Sequence, residues 1–154
     1  MADAMRDTEF LLQLYILDYG LAADELSGAL GVVPTYTHTK GAPVLSGGVF
    51  KRNIWCKQAK SSGSLRMDHH ISRFLDALTP LPERITKMAG HRVVDLTCHI
   101  NDYGKGYVIY CDAALAKRLA EMNASLEVVV YDGVNDPQSQ NKEALDLGFL
   151  PEDD

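Results

Sequence analysis

Between Glu9 and Asp18 the chain reads EFLLQLYILD, and both of its alternating faces are largely apolar. Phe10, Leu12, Leu14 and Ile16 fall on one face, and Leu11, Tyr15 and Leu17 on the other. Side chains of a strand alternate with a period of two, so a strand that is greasy on both sides belongs in the middle of a covered sheet. A chain of 154 residues fits one domain and can bury a core around such a strand.

The rest of the chain supplies the covering elements. Gly20 breaks the first strand, and Ala22, Leu26, Ala29 and Leu30 recur at helical spacing up to Gly31, a C-terminal stop. Pro34 forbids further helix, and Thr35–Gly48, punctuated by Gly and Pro, reads as loop with one short strand. Val49–Ala59 (VFKRNIWCKQA) reads as a second strand. Phe50, Arg52, Ile54 and Cys56 would share one of its faces, and Lys51, Asn53, Trp55 and Lys57 the other. Ile71, Phe74, Leu75 and Leu78 make Arg66–Leu78 an amphipathic helix that Pro80 and Pro82 end. Pro82 can sit in the first turn of a short second helix, Glu83–Ala89, closed by Gly90.

Val93–Ile100 is the next strand, and the turn Asn101–Gly106 (NDYGKG) predicts a hairpin back into Tyr107–Cys111. Asp112 caps a helix bearing Leu115, Leu119 and Met122, with Asn123 suited to the left-handed position at its end, and Leu126–Tyr131 is the final strand. The predicted order is β-α-β-α-β-β-α-β: an α+β domain with one mixed or mainly antiparallel sheet of about five strands and about three helices. The domain spans 1–131, and 132–154 reads as an acidic, flexible tail.

The order of motifs carries a resemblance. An apolar opening strand leads through a short acidic helix to LGVVP at Leu30–Pro34, then to Thr35–Gly41 with its Lys-Gly pair. A basic strand with a central Trp follows, and then an amphipathic helix running to a Leu-x-Pro break. Over Phe10–Tyr131 this resembles family 4279 of the domains of unknown function, small bacterial proteins with no established activity. The resemblance implies a cytoplasmic bacterial α+β domain and transfers no catalytic residues.

Charge provides the functional lead. From Leu26 to Met67 there is no Asp or Glu, against Lys40, Lys51, Arg52, Lys57, Lys60 and Arg66. From Asp132 to the end, seven acids face the single base Lys142, so the formal net charge of −6 combines two opposed regions. Segregated charge implies that the two regions meet or that one meets a charged partner. Lys40, Lys51, Arg52, Trp55 and Lys57 are therefore the candidate ligand-binding residues. An exposed Trp among cations can stack on an aromatic ligand while the lysines meet phosphate or carboxylate, and Arg52 can clamp an anion in bidentate fashion. The plain alternative is Trp55 buried beneath a helix or the tail, with the lysines reaching past it to water; a lone Trp is a large hydrophobe to leave exposed.

Catalytic and metal signals are weak. His69 and His70 are adjacent on a helix and project about 100° apart, and His99 follows Cys98 on a strand, so neither pair can share a metal. No GxSxG or phosphate-loop spacing occurs, and DYGKG at Asp102–Gly106 reads as a turn. Cys56, Cys98 and Cys111 lack CxxC spacing and read as buried reduced thiols in a cytoplasmic protein. Of the tyrosines, Tyr103 in the hairpin turn is the one expected to be exposed.

The leading expectation is a non-enzymatic binding or accessory module that receives an acidic protein or an anionic small molecule, with no cofactor and no metal. The alternative is a small enzyme acting on an anionic substrate near Trp55, with His38 or His99 as base. No apolar run approaches a membrane span, and the acidic balance disfavours nucleic acid. An exposed sheet edge would pair readily into a homodimer.

Overall fold

The computed structural model describes residues 6–88 and 93–132. The expectation of a flexible acidic tail over 132–154 lies outside them from residue 133 onward, as do His91 and Gly90.

The elements run β1 (Glu9–Leu17), α1 (Ala23–Leu30), β2 (Tyr36–His38), β3 (Ile54–Ser62), α2 (Met67–Ala77), α3 (Leu81–Lys87), β4 (Val93–Asp102), α4 (Ala113–Glu121) and β5 (Ala124–Asp132). The five strands form one mixed sheet in the order β2-β3-β1-β4-β5, giving the α+β architecture expected. All neighbours are antiparallel except β4 and β5, which run parallel and are linked through α4. β1 is central, and every residue from Phe10 to Leu17 is buried, as its two apolar faces require.

The even-numbered side chains of β1 face the helices. Phe10, Leu12, Leu14 and Ile16 pack with Leu96, Cys98 and Ile100 of β4, Leu26 and Leu30 of α1, Ile71, Phe74 and Leu75 of α2, and Leu115 of α4. A smaller core lies on the opposite face, where Tyr15, Leu17, Ile54 and Cys56 are covered by Val44 and Phe50 from the segment between β2 and β3. Beyond that cover the second face is polar. Gln13 Nε2 donates to Gln58 Oε1 at 3.1 Å, and His99 Nε2 lies 2.9 Å from Gln13 Oε1. Because that oxygen can only accept, His99 carries its proton on Nε2, and its Nδ1, 3.2 Å away, accepts from the Tyr131 hydroxyl. This chain of bonds crosses four strands.

Helix ends follow the sequence. Gly31 closes α1 at φ 72°, a left-handed turn that favours glycine. Asp112 Oδ1 accepts from Leu115 N–H at 2.8 Å to cap α4, and Asn123 takes φ 53° after it.

Four expectations need correction. The second strand starts at Ile54, not Val49; residues 49–53 bend to place Phe50 over Tyr15 and Ile54. Tyr107–Cys111 does not return as a strand of the sheet, because β4 already has β1 on one side and β5 on the other. Asp102 Oδ1 accepts from Gly104 N–H at 2.9 Å and Gly106 N–H at 3.0 Å, and this turn carries the chain away from the sheet. The segment then touches the α2 entrance through a parallel bridge between Val108 and Arg66, leaving Tyr107, Val108, Ile109 and Tyr110 exposed. Cys111 is exposed rather than buried, and Tyr103 is half-buried beneath the Arg6 guanidinium, 3.9 Å from its ring centroid.

Candidate functional site

The basic segment does not fold into one surface. Arg52 clamps Asp18 with Nε and Nη2, and Arg66 clamps Asp68 in the same bidentate way, so two of its six charges are matched locally. Lys40 and Lys51 are exposed in the segment between β2 and β3, where Asn53 Oδ1 accepts from Lys40 N–H at 2.9 Å. Lys57 sits on the helix-facing side of β3 and donates from Nζ to the Val33 carbonyl at 3.0 Å.

Trp55 corrects the sequence-based site. Its side chain is fully buried among Ile16, Leu26 and Leu30, and its indole N–H donates to Ser27 Oγ at 3.0 Å. It faces α1 because Trp55 pairs with Ile16, whose side chain points into the helix-side core. Alternation that would place Lys51 beside Trp55 starts only at Ile54, so the proposed face of Lys51, Trp55 and Lys57 does not exist as a contact surface. The bases considered for the enzymatic alternative are also packed. His38 stacks on Phe50 at 4.0 Å between centroids, and His99 belongs to the cross-sheet chain. Burial lowers the pKa of both.

The remaining base of the segment, Lys60, lies at the rim of a cleft between β3 and α2, its side chain leaving the strand on the face away from α2. One part, of about 240 Å³, is lined by Leu12, Ala59, Phe74 and Ala77 together with Lys60, Ser61, His70 and Arg73. An adjoining part, of about 310 Å³, shares Lys60, Ser61 and Arg73 and adds Glu9 and Ser62. Lys60 and Arg73 enter no ion pair among the described residues.

Strand and helix periodicity build this cleft. Ala59 and Ser61 alternate onto the helix face of β3, opposite Leu12 and Phe10 of β1. On α2, His70, Arg73, Phe74 and Ala77 recur at i, i+3, i+4 and i+7, a stripe beside the apolar one that packs the core. Ser61, His70 and Arg73 were missed in the sequence; that second stripe is the signal that marks the last two.

His70 organises one wall. Its ring is fully buried and stacks on Phe10 at 4.0 Å between centroids. Nε2 lies 2.7 Å from the Ser64 carbonyl, which can only accept, so Nε2 carries the proton. Nδ1 therefore accepts from the Ser61 hydroxyl at 2.6 Å. Burial lowers the His70 pKa; the Ser64 carbonyl opposes this, and Arg73 and His69 add to it. The imidazole is thus neutral near pH 7, and positive charge in the cleft resides on Arg73.

No described helix is long and apolar enough to cross a membrane. No curated protein and no solved structure matches the chain. The family described as a domain of unknown function (DUF4279) matches over residues 8–133, from the start of the central strand to the end of β5, and the chain belongs to that family.

Proposed function

We propose that this protein is a non-catalytic binding module for an anionic ligand, and that the β3–α2 cleft is its binding site. One observation carries the reading: Arg73, without an ion-pair partner among the described residues, lines a cleft with apolar walls whose β3 edge also carries Lys60. Charges beside low-dielectric walls attract a counter-charge more strongly than charges in open water. Arg52 and Arg66 already have carboxylate partners, which removes them as anion sites. Cys56, Cys98 and Cys111 form no disulfide, which supports a reducing, cytoplasmic setting.

Glutarate is a suitable probe, since it joins carboxylates to an apolar stem. Titrating it into isotope-labelled protein should shift the amide signals of Lys60, Ser61 and Arg73, and added salt should weaken the effect. The double substitution Lys60→Ala, Arg73→Ala should abolish the shifts while leaving the fold intact. Unchanged binding by the double variant would remove the site.

A second reading, acyl transfer, is favoured by the Ser61–His70 hydrogen bond, because a hydroxyl held on a neutral imidazole is how a serine nucleophile is activated. A fluorophosphonate probe distinguishes the two. A covalent adduct on Ser61, absent from Ser61→Ala, would establish the enzymatic reading. An unmodified Ser61 after long incubation would leave the hydrogen bond a purely structural one.

A further inference from the structure

The cleft opens beside a stretch of sheet edge. β2 pairs only with Ile54–Cys56 of β3. The last contact along that edge is Thr35, whose N–H donates to the Cys56 carbonyl at 2.7 Å and whose Oγ1 accepts from Gln58 N–H at 3.0 Å. Cys56 and Gln58 therefore direct their main-chain groups away from β1, and strand alternation gives Lys60 and Ser62 the same direction. Among the described residues no strand pairs with β3 on this side beyond Cys56. Among the described residues the chain comes to β2 from Gly31 through Pro34, where the Val33 carbonyl accepts from Lys57 Nζ, and meets the main chain of the edge at Thr35.

We infer that this edge accepts an extended segment of a partner polypeptide as an added strand, with an Asp or Glu side chain entering the cleft to meet Arg73. The inference rests on the anionic-ligand reading and names its ligand class. A strand is the one ligand that answers both features of the site. Its main chain satisfies the outward N–H and C=O groups of Lys60 and Ser62, and its alternation sends every second side chain to the helix face. There Leu12, Phe74 and Ala77 pack the methylenes and the Arg73 guanidinium takes the carboxylate. Charge selects the partner. Lys57 and Lys60 on β3 repel a second copy of the same edge, a common protection against self-pairing, and attract an acidic strand.

The test uses the full chain and the capped peptide acetyl-Thr-Val-Glu-Val-Thr-amide, with glutarate as the reference anion. The peptide should bind tighter than glutarate, and amide hydrogen exchange at Lys60 and Ser62 should slow by about tenfold or more. Replacing its Glu with Gln, or N-methylating alternate peptide nitrogens, should each weaken binding about tenfold, the first through lost charge and the second through lost strand pairing. Binding without protection of Lys60 and Ser62, or binding indifferent to N-methylation, overturns strand addition. If glutarate shifts the cleft and the peptide does not bind, the inference fails and the anionic-ligand reading stands. If neither binds, both fail.

Discussion

Trp55→Ala should destabilise the protein by about 3–5 kcal/mol, the range for deleting a large aromatic from a packed core. In a chain of this length each 1 kcal/mol shifts the melting temperature by about 2–4 °C, so a fall on the order of 10–15 °C follows. The side chain is fully buried, and it is sequestered with Ile16, Leu26 and Leu30 at the junction of β1, β3 and α1. Its truncation leaves a cavity and also strands the Ser27 hydroxyl that accepts the indole hydrogen bond. Ser27→Ala isolates the second contribution and should cost about 1 kcal/mol. Urea unfolding of the three proteins checks this. A Trp55→Ala variant with wild-type stability but impaired glutarate binding would mean that the residue serves a surface site, contrary to its position.

The fold was legible where a segment's pattern is decided by its own burial. β1, α1 with its Gly31 stop, α2 and α4 with its Asp112 cap each announce themselves through periodicity and end residues, and each forms close to where the sequence predicts. Tyr107–Cys111 failed for a different reason. Its composition suits a strand, but pairing depends on whether an edge of β4 is vacant, and β5 arrives later in the chain to take it. The start of β3 failed likewise, since residues 49–53 owe their bend to Phe50 reaching the second core, a tertiary contact that alternation does not encode.

Less of the site was legible. Charge segregation drew attention to the segment that contains Lys60, but counting charges cannot tell which ones meet carboxylates. Asp18 and Asp68 lie outside the acid-free segment and neutralise Arg52 and Arg66 from neighbouring elements. The cation of the cleft, Arg73, lies on α2 beyond that segment and lines the cleft only because α2 packs across β3. Trp55 was singled out for its surroundings in sequence, where cations flank it; in space its surroundings are the core.

Asp68→Asn should be strongly destabilising at neutral pH and almost neutral in acid. The Asp68 carboxylate is buried, with a side-chain exposure of 0%. It accepts from Arg66 Nε at 3.0 Å and Nη2 at 2.6 Å, and from Asp112 N–H at 3.2 Å. These bonds tie the first turn of α2 to the segment leading into α4, beside the main-chain pair of Met67 N–H to Val108 O and Val108 N–H to Leu65 O. Burial alone would raise the Asp68 pKa, but the hydrogen bonds and charge of Arg66, helped by Asp112 N–H, outweigh it and hold the pKa below its ordinary value of 3.8. A carboxyl with a depressed folded-state pKa contributes stability that is fully present above its unfolded value and is lost as pH falls through the folded one. Removing the charge should therefore cost about 2 kcal/mol at pH 7, the scale of losing charged hydrogen bonds at a buried acceptor. The gap between wild type and variant should close progressively below about pH 4. Urea midpoints measured from pH 7 down to pH 2 check it. A gap of constant size across that range would assign the effect to altered packing and not to the charge, and would break the argument that Arg66 and Asp68 clamp the two segments electrostatically.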